Sequence, residues 1–414
     1  MKIGHCFAET FPLTPESISY VVQPMRLAMT VRLIVTCFVF LCLAAGQPVR
    51  AGVEADTCDV NMPYQGPAQA GALDAGMFPR TEFNAEPMPE AIADRLQERF
   101  TELLPLTEAT AGTIAIWHPA IGRWSSRTGE GETPFWWASV AKLFTATITW
   151  QLIESEELGL QDRVDQWLPD YPGAELITVD QLLTHTSGVF SFNADKKLRA
   201  RNAYTPPEEL LEIAAQHRFD FCPGTDWYYS NTGYVMLGLI AEAVTKQSLA
   251  ALIGQRIARP LELGSVRLAS PGDPANSFTQ GLDDAAPSIQ AIATTFGAGA
   301  VLGNAGDMVS FLHSVLNDGV LSTGSRNDAF SKRYAMFGQM ESYGRGVMVI
   351  PVPDPEFTTT WIGHTGGAPG AKAVLIYDTR RQVYVAVAIN RQAAAEAVAN
   401  NMLKTLDTLL TENP

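Results

Sequence analysis

Ser139 and Lys142 stand three residues apart in Phe135-Trp136-Trp137-Ala138-Ser139-Val140-Ala141-Lys142, where a loop runs into an amphipathic helix. That spacing puts both side chains on one helix face. A serine hydroxyl is a poor nucleophile until a base takes its proton. A lysine one turn away, partly desolvated against Trp and Phe, can be that base or assist another. Two further stretches set polar side chains beside glycine. One is Tyr229-Ser230-Asn231, in a loop after Pro223-Gly224; the other is His364-Thr365-Gly366-Gly367. Taken singly each reads as a turn, and chance alone supplies about one Ser-x-x-Lys in a chain of this length.

The elements that must position these residues follow from periodicity. Pro89 opens a helix carrying Ile92, Leu96, Phe100 and Leu103 at helical spacing. Residues 113–117 and 123–127 read as strands around a Pro119–Gly122 turn. The Ser139 helix continues through Phe144, Ile148 and Leu152, and a mostly helical middle follows. It includes helices at 207–215, 234–244, 249–257 and 307–316, and a helix end with a glycine stop at His185-Thr186-Ser187-Gly188. Strands resume at 346–350, and 372–377 with 383–389 form a hairpin around residues 378–382. A last helix spans 392–410. The order predicts an α+β chain (an α/β sandwich). An antiparallel sheet is flanked by the N- and C-terminal helices, a mostly helical region is inserted, and the active site sits in the cleft between. The sheet region covers about 89–137 and 300–414, and the helical region about 138–299.

The chain has 414 residues, 46% hydrophobic and 18% charged, with a net charge of -15. This is an ordinary globular composition. The acidic balance and the lack of basic runs exclude a nucleic-acid partner. Leu33 to Ala45 is an apolar run preceded by Arg26 and Arg32 and followed by small residues up to Ala51. It has the form of a secretory signal, too short for a span, so residues 1–51 are expected to be an extension plus signal peptide, cleaved after Ala51. The mature protein is expected to be secreted or periplasmic, an uncleaved N-terminal anchor being the lesser reading. Residues 52–88, rich in Ala, Gly and Pro, read as a linker or extended strap, with the folded domain at 89–414. Of five cysteines, Cys58 and Cys222 lie beyond the signal; two cysteines alone do not fix a disulfide.

Taken in order, Ser-x-x-Lys, Tyr-x-Asn and His-Thr-Gly resemble the serine β-lactamase and penicillin-recognising family. The resemblance is to its branch of class C β-lactamases, D-Ala-D-Ala carboxypeptidases and esterases. The separations are 90 residues (229 minus 139) and 135 residues (364 minus 229). Leu182-Leu183-Thr184-His185-Thr186-Ser187-Gly188, Pro223-Gly224 and Arg259-Pro260-Leu261 also look like the family, so that the resemblance spans roughly residues 90 to 410. It implies that Ser139 forms an acyl-enzyme, with Lys142 or Tyr229 as base. It implies that Asn231 holds Lys142 and a substrate amide, and that the backbone N–H groups of Ser139 and Gly367 take the oxyanion. His364, Thr365, Gly366 and Gly367 would form the opposite, substrate-binding wall. His185 reads as structural, capping a helix or bonding the backbone. No metal or cofactor is implied, and no zinc-type ligand cluster stands in the sequence.

His364 departs from the lysine usual in class C β-lactamases. A histidine is mostly neutral at neutral pH, which lowers the expectation of an efficient β-lactamase and leaves D-peptides and esters open. The resemblance therefore implies a secreted serine hydrolase acting on a small molecule or peptide. D-Ala-D-Ala carboxypeptidase is the first expectation, with an esterase or class C-like β-lactamase as alternatives. A non-catalytic penicillin- or peptide-binding sensor would leave Ser139, Lys142 and Tyr229 unexplained.

Overall fold

The computed structural model describes residues 52–412 apart from 60, 80–83, 130, 337–339 and 354–357. The expected signal at 1–51 lies outside the described residues. In chain order the strands are β1 (Gln69–Ala70), β2 (Gly112–His118), β3 (Gly122–Thr128), β4 (Phe135–Trp136), β5 (Arg267–Leu268) and β6 (Val301–Gly303). They continue with β7 (Arg333–Ala335), β8 (Ser342–Tyr343), β9 (Met348–Pro353), β10 (Thr358–Ala368), β11 (Ala371–Asp378) and β12 (Val383–Ile389). Among the described residues the main sheet has nine strands in the order β1-β7-β8-β9-β10-β11-β12-β2-β3, and a second sheet has the order β4-β6-β5. Every strand pairing described within the two sheets is antiparallel.

The helices that matter for the site are α1 (Glu90–Leu103), α2 (Ala141–Glu154), α3 (Val179–Leu183), α4 (Pro207–Ala215), α5 (Asn231–Thr245), α6 (Ala305–Leu316) and α7 (Ala395–Glu412). Helix α1 starts behind Pro89 and buries Ile92, Leu96, Phe100 and Leu103, the stripe its periodicity predicts. It packs with α7, which lies on β11 and β12; α6 also packs on those strands. Both strands are therefore covered on two faces, and every residue of each is buried. That is why they read as near-continuous apolar runs and not as an alternation. Alternate residues Ala373, Leu375 and Tyr377 share one core with Phe311 and Leu312 of α6.

Differences from the sequence reading have local causes. Strands β1, β7 and β8 are two or three residues long, too short to show a period. The β11–β12 ladder reaches Asp378 paired with Val383, which shortens the hairpin loop to 379–382. Helix α7 begins at Ala395, three residues late, after a loop in which Asp283 accepts from the Gln392 N–H. The segment after Gly52 is tied down. Val53 pairs with Phe219, the Gln65 N–H donates to Thr225, β1 adds to the sheet edge, and Cys58 is disulfide-bonded to Cys222. No single helix among the described residues is long and apolar enough to cross a membrane.

Candidate active site

Ser139 sits on a tight 3-10 turn, Ala138–Val140, that feeds α2. Ala138 has φ of 45°, a left-handed conformation for a residue with a side chain; such backbone costs on the order of 1–3 kcal/mol and persists only where its surroundings enforce it. Both preceding tryptophans enforce it. Trp136 Nε1 donates to the Gly299 carbonyl at 2.6 Å, Trp137 Nε1 to the Gly303 carbonyl at 2.9 Å, and the Trp137 N–H to Val301. These bonds lock the turn to β6. Ser139 itself is half-buried.

Lys142 is fully buried. Its Nζ lies 2.7 Å from Asn231 Oδ1, 2.7 Å from the Ala298 carbonyl oxygen and 3.4 Å from Ser139 Oγ. Burial pushes its pKa well below the ordinary 10.5, because a charged ammonium loses hydration that two carbonyls do not replace. The rings of Tyr229 and Tyr234 flank it at 4.9 and 5.4 Å. The Ala298 carbonyl belongs to a short helical turn, Phe296–Gly299, which is held in place where Gly297 accepts from Thr145 Oγ1 at 2.7 Å.

Tyr229 comes from the loop ahead of α5, and Asn231 is the first residue of that helix. The Tyr229 hydroxyl is buried and hydrogen-bonds with Ser139; burial raises the phenol above its ordinary range and the bond with Ser139 opposes that rise. Asn231 is fixed from behind. Its N–H donates to Ser191 Oγ at 2.9 Å and its Nδ2 to Asn193 Oδ1 at 2.8 Å, and Ser191 Oγ donates to the same Asn193 oxygen at 2.6 Å. The Asn231 side chain therefore binds Lys142 with its oxygen and Asn193, not a substrate, with its nitrogen.

The His364 to Gly367 segment lies inside β10 and is not a turn. Gly366 packs against the nucleophile turn: a Cβ there would stand 2.2 Å from the Trp137 carbonyl oxygen and 3.1 Å from the Ser139 nitrogen. Only glycine permits this approach. Gly367 follows and is exposed. The two side chains before them correct the sequence reading. His364, expected to face substrate, is 0% exposed. Its Nδ1 donates to the Thr365 carbonyl at 2.6 Å, and its Nε2 lies 3.1 Å from the Tyr343 hydroxyl, which itself donates to the Tyr234 hydroxyl at 3.2 Å. Burial first, and Lys142 second, lower its pKa to about 3. Thr365 is buried as well, with its hydroxyl toward Met348 Sδ at 3.8 Å. Period-2 alternation sets which face a strand residue occupies, but not how deep that face lies.

The structure thus brings Ser139, Lys142, Tyr229, Asn231, Gly366 and Gly367 together, and sets His364 and Thr365 behind them. Sequence reasoning missed Ser191, Asn193, Tyr343 and the Ala298 carbonyl. Ser191 and Asn193 follow Gly188 closely enough to have been candidates; a carbonyl has no signature in sequence. Among the described residues no group of three His, Cys, Asp or Glu side chains could hold a metal ion.

A strained serine turn, a buried lysine and a tyrosine thus stand together where an antiparallel sheet meets a helical region. The chain belongs to the Beta-lactamase family, whose profile matches residues 119–408. It is 28% identical over 296 residues to penicillin-binding protein 4* of Bacillus subtilis (strain 168), covering 65% of this chain and 64% of that protein. It is 31% identical over 258 residues to penicillin-binding protein 4 of Amycolatopsis lactamdurans, covering 56% and 65%. The chain thus spans less than two thirds of the length of these relatives. Among solved structures, D-amino acid amidase from Ochrobactrum anthropi SV3 in complex with L-phenylalanine amide superposes with a TM-score of 0.68 at 19% identity, covering 77% of this chain and 99% of that one. D-stereospecific amidohydrolase from Streptomyces sp. does so with a TM-score of 0.63 at 24% identity, covering 75% and 97%. These likenesses establish the shared fold.

Proposed function

We propose that the protein is an exported serine amidohydrolase and esterase that passes an acyl group through Ser139 to water. Its preferred substrates are small D-configured amides and esters with an uncharged leaving group. The observation that carries the chemistry is the setting of Lys142. A neutral amine has two N–H groups and one lone pair. With the Asn231 and Ala298 oxygens, each at 2.7 Å, taking those two N–H groups, the lone pair is left for the Ser139 hydroxyl, whose Oγ is the third neighbour at 3.4 Å. Burial favours that neutral form. Lys142 is then the base, and Tyr229, a phenol kept protonated by burial, carries the proton on to the leaving group. The backbone N–H groups of Ser139 and Gly367 receive the oxyanion.

The substrate class rests on His364. A carboxypeptidase must bind the free carboxylate of its leaving residue. A neutral, fully buried His364 offers that carboxylate no charge. The amidases named above and the esterase EstB of Burkholderia gladioli, 32% identical over 155 residues, support neutral leaving groups. The penicillin-binding relatives favour D-Ala-D-Ala carboxypeptidase as the second reading. The Cys58–Cys222 disulfide supports export, since such bonds persist in oxidising compartments.

Intact-mass spectrometry tests the nucleophile: a fluorophosphonate or penicillin should label the wild type and not Ser139→Ala. Side-by-side turnover of D-phenylalanine amide, a D-Ala-D-Ala peptide, nitrocefin and a p-nitrophenyl ester tests the substrate class. Absence of any label sinks the hydrolase chemistry, and release of D-Ala as fast as ammonia from the amide sinks the preference.

A further inference from the structure

His185 lies outside the catalytic group yet touches every part of the loop that presents Tyr229. It follows α3, whose N-terminus is fixed by a capping box between Thr178 and Gln181, and takes a left-handed φ of 62°. Its carbonyl accepts from the Tyr228 N–H at 3.0 Å, and its ring Nδ1 accepts from the Ser230 N–H at 3.2 Å. One residue therefore holds the N–H groups on either side of Tyr229. Its ring also packs on the Tyr229 ring, with centroids 4.1 Å apart and planes tilted by 35°. Tyr343 backs it at 4.5 Å.

The tautomer follows from these bonds. Because Nδ1 accepts from Ser230, the neutral ring carries its proton on Nε2. Nε2 is buried and has no hydrogen-bond partner. An unmet buried donor costs about 1–3 kcal/mol, as does left-handed backbone at a non-glycine residue. Burial first, then Lys142 and His364, hold the pKa of His185 well below 6.5, so Nδ1 stays an acceptor at neutral pH.

The geometry points to His185 as a positioning residue that aims the Tyr229 hydroxyl through the Ser230 N–H···Nδ1 bond, and so controls proton delivery to the leaving group. This rests on Tyr229 acting as the proton carrier proposed above. It makes His185 matter in proportion to the basicity of the leaving group. An amine must be protonated as its C–N bond breaks, while p-nitrophenolate departs as an anion with its electron pair and needs no proton.

The test measures kcat/KM for the p-nitroanilide and the p-nitrophenyl ester of D-phenylalanine, which share one acyl group. His185→Phe keeps a ring and removes the acceptor. His185→Asn keeps an acceptor near the Nδ1 position and tolerates left-handed backbone. His185→Phe should lower anilide turnover about 100-fold, the scale of a misplaced catalytic group, and ester turnover less than about 5-fold. His185→Asn should recover anilide turnover to within about 10-fold of wild type. If His185→Phe does not fold, His185→Gln, whose amide reaches past the Nδ1 position, takes its place. Equal losses on both substrates, or His185→Asn no better than the variants lacking the acceptor, overturn the proposal. Tyr229→Phe separates the two layers. If it lowers both substrates alike, the role of Tyr229 itself fails. If it discriminates between them and His185→Phe does not, only the role of His185 falls.

Discussion

Replacing Gly366 by alanine should disable the site while leaving every catalytic side chain in place. The new Cβ would meet the Trp137 carbonyl oxygen at 2.2 Å and the Ser139 nitrogen at 3.1 Å. A carbon-to-oxygen contact is comfortable from about 3.3 Å, so β10 and the nucleophile turn must part by about 1 Å. Neither side yields easily: Trp137 is pinned to β6 by its ring and backbone N–H groups, and β10 is held through Gly366 by its ladder to β11. Parting them moves the Gly367 N–H away from the Ser139 N–H. A displaced oxyanion donor costs about 100- to 1000-fold in rate, or about 3–4 kcal/mol in barrier. Gly367→Ala is the internal control, because its Cβ would meet only Lys372 Cδ at 3.4 Å and Nζ at 3.5 Å, ordinary contact with a long side chain. The assay is kcat/KM on a p-nitrophenyl ester, corrected for the fraction of sites titrated by a fluorophosphonate. Overpacking also costs about 1–3 kcal/mol of stability, which melting curves account for separately. Equal losses in the two variants, or a Gly366→Ala enzyme within about 3-fold of wild type, would refute the reasoning.

Three further outcomes are expected. In the pH profile of kcat/KM, activity should rise as Lys142 loses its proton, with a midpoint well below 10.5, and should not fall again below pH 10, because burial raises the Tyr229 phenol; an alkaline fall near neutrality would contradict the assignment of acid and base. Asn231→Ala, which strips Lys142 of one acceptor, should lower kcat about 100-fold, and Asn193→Ala, which only loosens Asn231, about 3- to 10-fold; the reverse ranking in steady-state assays would count against the order of support. Removing the disulfide with Cys58→Ser and Cys222→Ser, 164 residues apart, should cost about 5 kcal/mol in denaturant melts by loop entropy and leave kcat near wild type; an unchanged midpoint would mean the strap does not constrain the unfolded chain.

Much of this was legible in the chain because it is local. The spacing of Ser139 and Lys142 is a property of one helical turn, and α1 declares itself because only one face of it is buried. Helix α2 is buried almost all round, so its length reveals it better than any stripe. What could not be read was depth and direction. His364 was expected to face solvent-borne substrate, and its burial depends on Tyr343, a residue of a two-residue strand with no periodicity. The pairing of Asn231 with Lys142, 89 positions apart, is a tertiary contact that motif resemblance suggested and periodicity could not. The pairing of Cys58 with Cys222 follows from a strap that bonds to the segment ahead of Tyr229 at Phe219 and Thr225, a long-range contact that no local pattern reports.

The Cys58–Cys222 bond also gives the molecule a topology. It closes the stretch from 58 to 222 into a covalent ring that contains the nucleophile turn, Lys142 and His185, while Tyr229 and Asn231 hang a few residues outside it. A protease that opens one peptide bond within that ring produces no separate fragments. Both halves stay attached to each other, with the serine side of the site still chained to the tyrosine side. In an oxidising and protease-rich setting, backbone integrity and molecular integrity thus become separate quantities. A nicked molecule would migrate as a single species until a reductant divides it.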